Sequence, residues 1–225
     1  ADAFVNAICH HMSNMMTPSL QVSMNELSNH DHSRFLTRTN RRVGRISYAG
    51  AEAASQNINP AVMREGVVVQ MTWPGAPTVY YGDEAGMVGW TDPDNRRSYP
   101  WGKQDWELIE FHKDMIRIHK KYECFRSGSY KSIASGSHWI CYGRFNKKLQ
   151  AVILINNRRE TLTVDLPIWQ IGILENACLK RVIQTTQSTY NIGEVMERAE
   201  DGILHVTVGP QTASVYIAAK NVEEN

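Results

Sequence analysis

The chain has 225 residues, with 24 lysines and arginines against 23 acids and no basic or acidic run, so nothing in it points to nucleic acid or to a charged membrane surface. Its 42% apolar and 21% charged residues are ordinary for a globular protein, and no apolar run is long enough to span a membrane. The length allows one large domain or two small ones. Cys9, Cys124, Cys141 and Cys178 are scattered, without a CxxC pair or metal-ligand spacing. They read as small apolar core residues and favour a reducing, cytoplasmic compartment. The chain opens Ala1-Asp2-Ala3-Phe4, with neither initiator Met nor signal peptide, and reads as a piece of a longer protein.

Phe4, Ile8, Met12 and Met15 recur at helical spacing and predict a first amphipathic helix, stopped at Thr17-Pro18-Ser19. The paired His10-His11 face different sides of such a helix, so they are expected at its surface and not as a ligand pair. Leu20 to Leu27 reads as a strand, broken by Ser28-Asn29-His30-Asp31-His32-Ser33, a run of small polar residues that marks a loop. That loop sets an imidazole beside a carboxylate, with Arg34 three residues further on. Residues 37–42 read as a basic, solvated loop. Asn59-Pro60 predicts a capped helix start, and residues 61–72 are apolar on most of their circumference, as in a helix buried on several sides. After Trp73-Pro74-Gly75-Ala76-Pro77, the residues Thr78-Val79-Tyr80-Tyr81 predict a short strand ending at Gly82-Asp83-Glu84.

Strand, loop, helix and strand in alternation predict parallel strands with crossover helices, and two strands cannot close such a sheet. Residues 85–104 form a long loop too aromatic for a disordered segment, which makes it a candidate functional loop. Asp105 is expected to cap a helix whose stripe is Leu108, Phe111/His112, Met115, His119 and Tyr122, with both histidines hydrogen-bonded within the packing. From Phe125-Arg126 onward the pattern changes to short β runs at 130–134, 139–145, 151–155, 162–166, 181–183, 203–208 and 215–218. Hairpin signals stand at Asn146-Lys147-Lys148 and Asp201-Gly202, and together these predict an antiparallel sandwich with a boundary near residue 126.

Two stretches carry a resemblance. Pro74-Gly75-Ala76-Pro77-Thr78-Val79-Tyr80-Tyr81-Gly82-Asp83-Glu84 resembles the eighth-strand motif of glycoside hydrolase family 13, the α-amylase family, and Asn29-His30-Asp31 matches the family's seventh-strand motif upstream. The loop Asp92-Pro93-Asp94-Asn95-Arg96-Arg97, closing on Pro100-Trp101, is similar to the neopullulanase, cyclomaltodextrinase and amylopullulanase branch. The resemblance covers residues 1 to about 125, and the β region matches only in position and pattern. It implies the C-terminal part of a (β/α)8 barrel (residues 1–125) followed by an antiparallel β-sandwich (residues 126–225).

For chemistry, the resemblance implies that Asp31 is the family's third carboxylate, stabilising an oxocarbenium-like transition state. His30 would bond the same sugar, and Asp92 with Arg96 would grip the glucose one unit beyond it on the non-reducing side. A salt bridge between Asp92 and Arg96 that only pins the loop is the competing reading of that pair. Asn29 is expected to support the loop, Asp83 and Glu84 to shape the barrel end, and Arg34 to pair with a carboxylate below the site. Asp94 and Arg97 are expected to be structural. The family's nucleophile, in a Gly-x-Arg-x-Asp pattern, and its general acid, a later Glu, have no match here. The chain alone is therefore expected to be inert, with an α-glucan substrate and the missing N-terminal half of the barrel as its partners. No cofactor or metal is assigned, because the family's calcium sites lie mostly in that missing half. A non-catalytic sugar-binding or structural module, or a family glucanotransferase or isomerase, are the alternative readings.

Overall fold

The computed structural model describes residues 2–219. Its first part is helical, with one small parallel pair of strands, and its second part is antiparallel sheet. The helices are α1 (Asp2–Ser13), α2 (Thr17–Val22), α3 (Phe35–Arg38), α4 (Ile46–Ala49), α5 (Pro60–Thr72), α6 (Trp106–Lys121) and α7 (Cys124–Ser127). The strands are β1 (Met24–Glu26), β2 (Ala76–Thr78), β3 (Ser129–Gly136), β4 (Trp139–Phe145), β5 (Leu149–Asn156), β6 (Leu162–Pro167), β7 (Cys178–Thr185), β8 (Tyr190–Arg198), β9 (Ile203–Val208) and β10 (Thr212–Ala219).

β1 and β2 pair in parallel, in the register Met24↔Ala76, Asn25↔Pro77 and Glu26↔Thr78, as the alternating pattern predicts. Both strands are shorter than expected. The predicted strand 20–27 begins as helix α2, because Pro18 sits in the first turn of a helix, where its missing N–H costs nothing. The predicted strand 78–81 ends at Thr78, and the Tyr80 and Tyr81 rings instead pack on the buried Arg34 guanidinium, at 4.1 and 4.7 Å. Gly75, at φ 128°, lets its backbone approach β1, since a side chain there would lie 2.5 Å from Ser23 O.

Helix α5 starts where the sequence places it. Asn59 Oδ1 accepts from the amides of Ala61 and Val62, and Pro60 opens the helix. It is buried on nearly every side, and Gln70 Nε2 donates to both Asn25 O and Thr78 O, tying the helix to the two parallel strands. Asp105 caps α6 by accepting from Leu108 N at 2.9 Å. His112 Nδ1 donates to Leu108 O and His119 Nδ1 to Met71 O, and burial holds both imidazoles below their ordinary pKa. The segment predicted as a solvated basic loop is partly folded. Phe35–Arg38 forms helix α3, with Leu36 and Thr37 buried, because the Thr37 hydroxyl accepts from Gly89 N at 2.9 Å.

The six-stranded antiparallel sheet runs β3-β4-β5-β10-β7-β8, and β6 and β9 form a separate antiparallel pair. One face of the large sheet packs on α5 and α6: Ala151, Ile153 and Ile155 meet Met63, Val67, Phe111 and Met115. The other face packs on β6 and β9: Val152 and Leu154 meet Leu162, Leu166, Leu204 and Val206. Alternate residues of β5 thus point to two different cores, which is why its sequence is a continuous apolar run. Asn146 shapes the β4–β5 hairpin by accepting from Lys148 N and Leu149 N, and Asp201-Gly202 forms a left-handed two-residue turn. Strand β8 was not anticipated. It is an edge strand with Gly193 at its middle, and Ile192, Val195 and Met196 stay exposed, so it lacks apolar alternation. The cysteine expectation is corrected in part: all four are free, Cys124 and Cys141 are buried, but Cys9 is half-buried and Cys178 exposed at the start of β7. No helix among the described residues is long and apolar enough to cross a membrane.

Candidate functional site

Because β1 and β2 are parallel, the loops that follow them leave on the same side. The first loop is built by Asn29, whose Oδ1 accepts from Asp31 N at 2.9 Å and His32 N at 3.0 Å, while its amide donates to Glu26 Oε1 at 2.6 Å. This Asx turn lifts His30 and Asp31 into solvent: their side chains are 67% and 66% exposed, with His30 Nε2 3.5 Å from Asp31 Oδ1.

The second loop lies directly against the first. Thr91 Oγ1 donates to Asp31 O at 2.6 Å, Asn95 Nδ2 to Asn29 O and His32 O at 3.1 and 2.8 Å, and Arg96 Nε to His30 O at 3.2 Å. The structure therefore brings His30, Asp31, Asp92 and Arg96 together in one surface cluster. Asp92 Oδ1 accepts from Arg96 at 2.8 Å, with both side chains 48% exposed. In this state the two groups bond each other, and both keep half their surface free for a polar ligand.

Beneath the cluster lies a buried polar layer. Arg34 is fully buried; Nη1 donates to Asp83 Oδ1 at 3.0 Å and to Tyr81 O, and Nε donates to Asn95 O at 2.8 Å. Burial pushes the Asp83 carboxyl above its usual pKa, and the Ser28 hydroxyl and the Arg34 guanidinium pull it back. Asp94 is held by Arg97 through two bonds of 3.0 and 2.8 Å and accepts from Trp90 N, while Arg97 also reaches Ala51 O. Glu84 Oε2 accepts from Gly82 N at 2.8 Å and so shapes the turn after β2.

Sequence reasoning missed Asn95 and Thr91, although both stand inside the loop it selected. Their signal was a polar side chain beside a charged one, too common to single out without the first loop's carbonyls next to it. It also missed Glu65, buried in α5 with Oε2 bonded by the Asn157 amide and Oε1 unpaired; burial pushes its carboxyl up to about 7. Among the described residues no group of three or more His, Cys, Asp or Glu is arranged to hold a metal ion.

The family described as "Alpha amylase, catalytic domain" matches residues 1–153. An amylopullulanase of Thermoanaerobacter thermohydrosulfuricus is 32% identical over 135 residues, covering 56% of this chain and 8% of that protein. A cyclomaltodextrinase of Thermoanaerobacter pseudethanolicus is 31% identical over 185 residues, covering 80% of this chain and 29% of that protein. A solved α-amylase of Geobacillus thermoleovorans, in complex with acarbose, superposes with a TM-score of 0.70 at 25% identity over 90% of this chain and 40% of that one. The chain thus spans less than a third of each of the two relatives.

Proposed function

The chain belongs to the α-amylase family of glycoside hydrolases, and from that premise we propose that it is the C-terminal part of an α-glucan hydrolase that cleaves α-1,4 glucosidic bonds with retention, α-1,6 bonds being a second candidate target. In this reading residues 1–125 end a (β/α)8 barrel and residues 126–225 form a β-sandwich. The observation that carries it is the lacing of the Asn29–His32 loop to the Thr91–Arg96 loop beyond the same ends of two parallel strands.

Retaining cleavage needs a carboxylate nucleophile and a carboxylic acid on opposite sides of the bond. Neither has a counterpart in this chain, and the preceding half of the barrel supplies them. Asp31, exposed at the surface, stabilises the positive charge that develops at the sugar ring, and His30 bonds a hydroxyl of the same ring. Asp92 and Arg96 open their mutual ion pair onto adjacent hydroxyls of the next glucose: the carboxylate accepts, the guanidinium donates.

Soluble starch and maltotriose, with reducing ends and products followed, test this on the 225-residue chain and on the full-length parent side by side. The parent should shorten both substrates and the chain should release nothing above blank. Turnover by the chain comparable to an amylase, or a parent without action on α-glucans, refutes the reading. Net lengthening of maltotriose by the parent would assign it to transfer instead of hydrolysis.

A further inference from the structure

We propose that Asn95 is a positioning residue for Asp31, fixing where the Asn29–His32 loop sits; the inference rests on the role given to Asp31 above. Four consecutive backbone carbonyls, from Asn29 to His32, accept side-chain hydrogen bonds from the 91–96 segment. Asn95 holds both ends of the run, at Asn29 O and His32 O. It is also the member of the clamp that is fully buried, whereas Thr91 is half-buried and Arg96 exposed. Its own backbone carbonyl accepts from Arg34 Nε at 2.8 Å, so the residue is anchored from below as well. Turned the other way, its amide oxygen would face two carbonyl oxygens, so the donor side must point at the loop.

This matters because Asp31 cannot be held by its own side chain, two-thirds of which is in solvent. Its position is the position of its backbone. Asn29 sets the local shape of the turn, and Asn95 sets where that shape stands relative to the rest of the site. A fixed charge accelerates a reaction only when it is already in place, and a displacement of about 1 Å can cost on the order of 100-fold in rate.

Two variants test the clamp. Asn95→Asp keeps the shape, removes both donors and aims a carboxylate at two carbonyl oxygens. Thr91→Val removes the single donor to Asp31 O and keeps the proposal testable should Asn95→Asp not fold. In the 225-residue chain, hydrogen exchange read on peptides spanning 29–33 should accelerate about tenfold or more in Asn95→Asp. Peptides from α5, α6 and β5 should keep their protection. In the full-length enzyme kcat should fall about tenfold or more with KM within about twofold, and Thr91→Val should give the same pattern more weakly.

Unchanged exchange at 29–33, or protection lost evenly along the chain, overturns the proposal. So does a parent that is active and insensitive to both variants, which leaves the functional reading standing. A wild-type parent inert on α-glucans refutes that reading, and Asp31's role falls with it.

Discussion

Glu65→Gln should stabilise the chain at alkaline pH and do much less at acid pH. Glu65 is 3% exposed on helix α5, with one carboxyl oxygen bonded by Asn157 and the other unpaired. Burial raises its carboxyl from 4.5 to about 7, against the pull of the Asn157 amide. The folded state therefore binds this proton more tightly than the unfolded state does. Below pH 4.5 the group is neutral in both states and costs nothing. Between 4.5 and about 7 the unfolded chain releases the proton first, so stability falls as pH rises, and above 7 the loss is complete. The full shift corresponds to about 3 kcal/mol, and the part developed between pH 5 and pH 8 is about 2.5 kcal/mol.

Glutamine keeps the volume and an acceptor for Asn157 but has no proton to lose. Urea unfolding of both proteins at pH 5 and pH 8, followed by circular dichroism, isolates the effect, because all other titrating groups cancel in the difference. The advantage of the Gln variant should grow by about 2.5 kcal/mol between the two pH values. A difference that is flat with pH would show that Glu65 titrates alike in the folded and unfolded chain, and that its burial carries no such cost.

In the full-length enzyme, Asp31→Asn should lower kcat by about 100-fold or more while KM changes little, and an effect confined to KM would make Asp31 a binding residue only. His30→Asn should be milder, since one hydrogen bond goes and the charge stays. Arg96→Ala should cost about tenfold in kcat/KM on long oligosaccharides and little on a substrate too short to reach it; equal losses on both would leave the Asp92 pair as a loop clip. Arg34→Met should destabilise the chain by about 3–5 kcal/mol, because Asp83 stays buried without its partner. Its melting temperature should drop by many degrees, and an unchanged melting temperature refutes that reading of the buried layer.

The elements that stood out in the sequence are those whose reasons are local. Asn59-Pro60 and Asp105 cap helices through their own side chains, and β4 ends and β9 begins where turn residues force them to. The failures have non-local reasons. Pro18 reads as a stop and is a start, because the choice depends on which helix owns it. Val79-Tyr80-Tyr81 has strand composition, but its rings are taken by an arginine far away in sequence. β8 is strand only because β7 offers it an edge. At the candidate site, Asp31 and His30 stand out in one short stretch of sequence, and both are exposed on the loop after β1. Asn95 does not, because the carbonyls it bonds lie more than sixty residues away.

That contrast bears on how the site is held. The second loop buries Ala85, Met87 and Trp90, but the residues that carry the surface cluster are polar, and what fixes them is a chain of polar contacts from Asp83 through Arg34 to Asn95 and on to the backbone beneath Asp31. The sheet and helices α5 and α6 are held instead by two apolar cores, one of which touches the loop segments through Leu27, Phe35, Leu36 and Val88 and through none of His30, Asp31, Thr91, Asp92, Asn95 and Arg96. Local and global stability are then separable. A cavity cut in the sheet, such as Leu154→Ala, should lower the unfolding free energy by about 2–5 kcal/mol and leave hydrogen exchange at 29–33 at its native rate so long as the chain stays folded. Asn95→Asp should do the reverse. If Leu154→Ala loosened the loop as much as Asn95→Asp does, loop and sheet would open as one unit, and the polar chain under Asp31 would have no stability of its own.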